Sequence, residues 1–179
     1  MSADIESILF SSERIAERVA QLAHSLDAAF QGKYPLAIGI LKGSFMFFAD
    51  LVRAMSLPVQ TDFMCVSTYG SGTTSQCRLT IKKDTDASVA GRDVIIVEDI
   101  IDSGFTLENV RRIFLERGAR SVTIVTLLDK PARRTAPLQP DYRGFVIGDE
   151  FVVGYGLDYA EKYRSLPYIG VLSRSVYEK

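Results

Sequence analysis

Cysteine and histidine are nearly missing from these 179 residues: two of the first, Cys65 and Cys77, and one of the second, His24. The cysteines fit no zinc or thioredoxin spacing and are expected to be reduced thiols of a cytoplasmic protein. Serine–histidine or cysteine–histidine catalysis would have to use His24, which falls mid-helix by pattern and reads better as a solvated or packed side chain. Excess charge is missing too. Lys and Arg number 21 against 22 Asp and Glu, so no overall field draws the chain to nucleic acid or an anionic membrane. No stretch reaches the roughly 20 apolar residues of a membrane helix. The first ten residues, with Asp4 and Glu6, lack the cationic start and apolar run of a secretory signal. No repeat or long linker interrupts the chain. What is present, 47% hydrophobic and 24% charged, suits one globular domain over 1–179 that needs no disulfide to hold a core.

Periodicity gives the outline. Ile15, Val19, Leu22, Leu26 and Phe30 form one helical stripe, with Ser11 or Ser12 to cap its start and Gly32 to end it. Leu36 to Leu41 reads as a buried strand that stops at Lys42-Gly43-Ser44. Phe45, Phe48, Val52 and Met55 then return to helical spacing, with Ser44 as the expected cap. Val59 to Thr68 is a further strand, and Arg78 to Lys82 a half-buried one. Between them, Tyr69 to Gln76 is mostly Gly, Ser and Thr and has little to pack. Val94 to Val97 reads as a central strand, followed by a helix through Leu107, Val110, Ile113 and Phe114, and a strand over Val122 to Leu128. Such strand–helix–strand spacing is a parallel crossover, so the class is α/β with a mainly parallel central sheet flanked by helices. Ligands in such sheets bind beyond the carboxyl ends of the strands. The residues after Leu41, Val97 and Leu128 are therefore the ones to inspect.

After Val97 comes Glu98-Asp99-Ile100-Ile101-Asp102-Ser103-Gly104-Phe105-Thr106. The helix beginning near Thr106 offers free backbone N–H groups and the positive end of its dipole, Gly104 lets the chain approach a ligand closely, and Ser103 and Thr106 add hydroxyls. This suits one terminal phosphate. Glu98 and Asp99 suit the opposite task, accepting hydrogen bonds from sugar hydroxyls or from water on a magnesium ion. Ordinary helix capping explains the turn by itself equally well. Three acids at the end of an apolar strand are harder to explain without a ligand, since they concentrate like charge. The loop has no lysine for a Walker motif and only one glycine where a dinucleotide fingerprint needs three.

Val94 to Gly104 resembles the phosphoribosyl pyrophosphate signature of type I phosphoribosyltransferases, in the form of the hypoxanthine-guanine branch. The resemblance implies that fold, with a small hood built from terminal segments. It implies transfer of a 5-phosphoribosyl group from phosphoribosyl pyrophosphate to N9 of a 6-oxopurine, with Mg2+ as cofactor and a homodimer or homotetramer as the assembly. Glu98 and Asp99 would then hold the ribose hydroxyls and help bind metal. Asp102, Ser103, Gly104, Phe105 and Thr106 would wrap the 5-phosphate, and Asp102 would handle the proton at purine N7. Where some relatives carry lysine this chain has Phe105, so phosphate binding must rest on backbone donors there.

Three further segments resemble the same branch. Leu41-Lys42-Gly43-Ser44 is similar to its pyrophosphate loop, where Lys42 and Gly43 would contact the leaving group and where a cis peptide is common. Leu127-Leu128-Asp129-Lys130 places a cation at a strand end, and Lys130 would donate to the 6-oxygen. An ammonium suits an oxo group and opposes the amino group of adenine, a mismatch worth roughly 1–3 kcal/mol. Phe151 to Tyr159 resembles the base-binding segment: Phe151 would stack on the purine, Val152 and Val153 would offer backbone groups, and Asp158 would bind metal and read the base. Arg164 matches an arginine that holds pyrophosphate. Thr68 and Tyr69, with the segment behind them, resemble a lid that would exclude water. Each feature also has a plainer reading: a solvated lysine, an apolar strand, a surface loop. The competing functions are a nucleotide-sensing regulator that binds RNA or DNA, a transferase acting on xanthine or adenine, and a simple phosphate-binding module.

Overall fold

A computed structural model describes residues 4–69 and 78–178. Strand β1 (Ile5–Phe10) leads into helix α1 (Ser12–Ala29). Then come β2 (Leu36–Leu41), α2 (Phe45–Ala54), β3 (Gln60–Tyr69), β4 (Arg78–Lys83), β5 (Asp93–Ile101), α3 (Phe105–Glu116) and β6 (Ser121–Asp129). A single 3-10 turn at Pro131–Arg133 is followed by β7 (Tyr142–Val146), β8 (Val152–Val153), β9 (Ile169–Leu172) and the short α4 (Arg174–Tyr177).

Six strands form the main sheet in the order β4-β3-β2-β5-β6-β7, parallel except for the antiparallel β3–β4 pair. Alternation in the two central strands explains its two cores. Leu36, Ile38 and Ile40 of β2 and Val94 and Ile96 of β5 face Leu107, Val110 and Phe114 of α3. Ala37, Ile95 and Val97 face the opposite side, where Ile15, Val19, Leu22 and Leu26 of α1 meet Phe47, Phe48 and Leu51 of α2. The α1 stripe is therefore where its spacing puts it, and the Ser11 hydroxyl accepts from Arg14 N–H at 3.4 Å. Phe30 lies one residue past the helix, and Gly32 takes a left-handed φ of +73° in the turn that follows.

Two details differ from the sequence-based expectations. Ser44 takes the expected N-cap position of α2 but makes no side-chain cap: its backbone is already helical, and its buried hydroxyl donates to the Ile40 carbonyl at 2.5 Å. The central strand also does not stop at Val97. It runs on to Ile101 because β6 continues to pair with it, Ile100 opposite Leu128 and Ile101 opposite Asp129. On its other side β2 pairs only as far as Gly39 opposite Val97.

That one-sided ending positions the site. From β2 the chain moves outward through α2 to β3, and from β5 it moves the other way through α3 to β6. The gap between the carboxyl ends of β2 and β5 is thus the point where the winding reverses, which is where open α/β sheets place a crevice. Above it sits the second sheet, β1-β9-β8, built from both terminal regions. Its core is Ile5, Val153 and Leu172. No helix of the described residues is long and apolar enough to cross a membrane.

Candidate active site

Glu98 and Asp99 occupy the part of β5 that β2 leaves uncovered. The Asp99 carboxylate lies against the loop after β2, where the Leu41–Lys42 peptide is cis. A Cβ at Gly43 would overlap Asp99 Oδ2, so any side chain there would have to push the acid aside. Burial pushes Asp99 up to about 6, against the pull of the Ile100 N–H at 2.8 Å and the charge of Arg164. Glu98 is driven well above the ordinary range by burial first and by the neighbouring Asp99 second, and its buried Oε2 has no hydrogen-bond partner among the described residues. Two carboxyls in this state favour whatever brings them hydrogen-bond donors.

The turn that follows is fixed from outside. Gly104 has φ +83°, and a Cβ there would come 2.7 Å from Arg134 Cδ. The Ser103 carbonyl accepts from the N–H groups of Thr135 and Ala136, both at 3.0 Å. The Ser103 hydroxyl accepts from Phe105 N–H at 3.3 Å, at the start of α3. Asp102, Ser103, Gly104 and Thr106 line a cavity of about 100 Å³, with Glu98 at its wall.

A second cleft, of about 270 Å³, adjoins it. Asp99, Asp102, Lys130, Phe151, Val152 and Asp158 line it, and Ile100 and Asp102 belong to both spaces. Lys130 is brought in by its backbone N–H, which donates to the Ile101 carbonyl at 2.9 Å. Its side chain is buried, its ammonium donates to the Glu150 carbonyl at 2.7 Å, and burial lowers its pKa. Phe151 stacks on Tyr177 with ring centres 5.1 Å apart and meets the edge of Tyr159 at 5.5 Å. Val152 and Val153 are buried in β8. A larger cavity of about 360 Å³ lies on the hood beside Arg174 and Tyr177; Glu6, Asp149, Glu150 and Phe151 line it, and neither Glu98 nor Asp99 does.

The remaining cations gather at the β2 loop. Arg164 Nη2 is 2.8 Å from Asp158 Oδ1, and Arg164 Nη1 donates to the Gly156 carbonyl at 2.8 Å. Lys42 Nζ is 3.1 Å from Glu161 Oε1. Gly156, at φ +101°, packs so closely on the Gly43 carbonyl that a Cβ would overlap it. The sequence-derived residues of the strand ends and of the Phe151–Arg164 segment thus surround one crevice. Thr68 and Tyr69 end β3, but the segment expected to form a lid, 70–77, lies outside the described residues, as does Cys77. His24 is exposed on α1, and Cys65 is a half-buried free thiol.

Four residues of the site were not picked out from the sequence. Arg133 reaches Asp102 at 3.3 Å and Asp149 at 2.6 Å. Arg134 donates to the Asp102 carbonyl at 3.1 Å, to the Leu138 carbonyl at 2.6 Å, and to the buried Asp129. Glu161 bridges Lys42 and Arg164. Adjacent arginines three and four residues past a strand-end lysine were the available signal for Arg133 and Arg134. Glu161 and Asp129 left none.

Comparison with known proteins agrees with this geometry. Residues 7–160 match the phosphoribosyl transferase domain family. The hypoxanthine-guanine phosphoribosyltransferase of Bacillus subtilis is 52% identical over 178 residues, 99% of each chain. Among solved structures, a hypoxanthine phosphoribosyltransferase from Staphylococcus aureus superposes with a TM-score of 0.95 at 45% identity, covering 98% of this chain and 96% of the other. A mutant of the Trypanosoma cruzi hypoxanthine phosphoribosyltransferase, in a ternary substrates complex, gives 0.92 at 41% identity, covering 97% and 98%. With a domain match over most of its length and relatives this similar from end to end, the chain belongs to the phosphoribosyltransferase family, in its hypoxanthine-guanine branch.

Proposed function

We propose that the whole chain acts as one purine-salvage unit, moving the 5-phosphoribosyl group of phosphoribosyl pyrophosphate to N9 of hypoxanthine or guanine and releasing pyrophosphate with IMP or GMP. One observation carries the reading. A phosphate-sized cavity and a base-sized cleft meet at Asp102, with the Glu98 and Asp99 carboxylates beside them, one Glu98 oxygen without a hydrogen-bond partner among the described residues, and the buried Lys130 ammonium lining the cleft.

The 5-phosphate takes the small cavity, where the hydroxyls of Ser103 and Thr106 and the N–H groups at the start of α3 receive it. Phe105 contributes its backbone N–H, which the Ser103 hydroxyl holds meanwhile. Glu98 and Asp99 accept hydrogen bonds from the ribose hydroxyls, which bring the donors that burial makes them favour. Their negative charge also suits the positive charge that grows on the sugar as the bond to pyrophosphate breaks. Lys42, the Gly43 backbone and Arg164 hold the departing pyrophosphate.

Phe151 stacks on a face of the purine. Lys130 donates to its 6-oxygen, and the backbone of Val152, Val153 and Asp158 reads its other edge. As N9 bonds to the anomeric carbon, Asp102 takes the proton from N7, and pyrophosphate leaves with the electron pair of its carbon–oxygen bond.

No group of three or more acidic, cysteine or histidine side chains converges to cage a metal among the described residues. The donors present suit magnesium held mostly by substrate oxygens, with Asp158 supplying a carboxylate and Glu98 and Asp99 acting through ribose hydroxyls or water. When bound, the ion would neutralise charge on the leaving group. The test is pyrophosphate release with Mg2+, phosphoribosyl pyrophosphate and hypoxanthine, guanine, xanthine or adenine in turn. Release with either of the first two supports the reading. No release with any base overturns it.

A further inference from the structure

Glu161 stands between two cations that come from distant parts of the chain. Its Oε1 is 3.1 Å from Lys42 Nζ, and its Oε2 is 3.3 Å from Arg164 Nη2. The backbone sets this pose. Ala160 and Glu161 both have left-handed φ, +51° and +63°, inside a tight turn closed by hydrogen bonds between Tyr159 and Lys162. The Glu161 N–H donates to Asp158 Oδ2 at 2.8 Å, so the residue is tied to the acid that also holds Arg164.

Two anionic oxygens each taking one cation is the pattern a diphosphate would make with the same pair. We propose that Glu161 is an internal stand-in for pyrophosphate: it bridges Lys42 and Arg164, and the leaving group must displace it. This holds if Lys42 and Arg164 bind pyrophosphate as proposed above. Displacement is feasible because the Lys42 and Glu161 side chains are both 66% exposed, and such pairs are weak. Arg164 does not swing away with Glu161. Its side chain is only 20% exposed and stays anchored on the Gly156 carbonyl and Asp158. The carboxylate therefore keeps two like charges paired and aimed. It also returns to compete with bound pyrophosphate, which weakens the hold on a product the enzyme must release.

The test is Glu161→Gln, which keeps the side chain's size and removes its charge, assayed in the reverse reaction of IMP with inorganic pyrophosphate and Mg2+. Losing both ion pairs as competitors should lower the KM for pyrophosphate about three- to tenfold. The KM for IMP should stay as in the wild type. A variant whose pyrophosphate KM is unchanged or higher overturns the proposal, a higher value meaning that Glu161 helps to bind pyrophosphate. A wild-type protein that does not use pyrophosphate at all sinks the assignment of the site itself, and is told apart from the first failure by the wild-type control.

Discussion

The Asp102 carboxylate lies 3.3 Å from Arg133 Nη1, and Arg133 also reaches Asp149 at 2.6 Å. Both Asp102 and Arg133 are about half exposed, 48% and 52%, so the pair is open to water and to a competing base. The arginine therefore holds the acid at the mouth of the cleft without sealing it off.

Asp102→Asn keeps the shape of that side chain and its contact with Arg133 but cannot take a proton. Turnover is expected to fall by about 10²–10⁴-fold, the usual worth of a general base. Nucleotide binding should change far less. Steady-state kinetics beside titration of IMP binding checks both, and near-normal turnover would remove Asp102 from proton transfer.

Lys130→Ala removes the one buried ammonium lining the base cleft. The loss of a donor to the 6-oxygen, together with the orphaned Glu150 carbonyl, should cost roughly 1–3 kcal/mol of base binding. Adenine, which lacks the oxo group, should be discriminated against less strongly. An unchanged preference among hypoxanthine, guanine and adenine would count against the role given to this lysine.

Glu98 and Asp99 make a prediction about pH. Both hold a proton more tightly folded than unfolded, from ordinary values of 4.5 and 3.8. The stability this gives is complete below those values. It is lost as pH rises through about 6 for Asp99, and likewise as pH rises through the raised Glu98 value. Without substrate, Asp99→Asn should therefore be more stable than the wild type at pH 8 by about 1–2 kcal/mol, allowing for water at the rim of the crevice. The difference should shrink toward pH 4.5. Denaturant titrations at the two pH values decide it, and an equal gap at both would refute the electrostatic cause. Activity should be lost in the same variant.

Gly104→Ala meets two obstacles, a left-handed backbone and the Arg134 side chain 2.7 Å from the new methyl. The expected cost is about 1–2 kcal/mol of stability. The KM for phosphoribosyl pyrophosphate should rise as well, since the turn proposed to receive its phosphate is displaced. A variant with wild-type stability and KM would show that the turn adapts more easily than its contacts suggest.

The parts of the molecule that could be read from the chain are those where one element carries the whole signal. Val94 to Gly104 holds its apolar run, its acids and its turn in a single stretch, and it forms the floor of the crevice. Strand β1 could not be read in that way. Its pairing with β9 shifts register between Ile5 and Ser7 and again between Ile8 and Phe10, so alternation fails and Ile8 points to water, 47% exposed. Nor could β7, an edge strand of mixed composition whose Gly144 is needed because a Cβ would overlap the Leu127 carbonyl. Arg133, Arg134 and Glu161 act by reaching across to other elements, Glu161 over 119 positions to Lys42. No local pattern announces a partner that far away. Ser44 shows the converse error: a good capping residue in the right place, turned to the Ile40 carbonyl because that strand end needed a donor more.

Gly43 and Gly156 touch backbone to backbone, with no room for a side chain on either. The segment proposed to grip the departing group and the segment proposed to read the purine are consequently machined as one joint. Anyone re-engineering the base preference by replacing residues near position 156 should expect the leaving-group loop to shift too, and will need to alter both together.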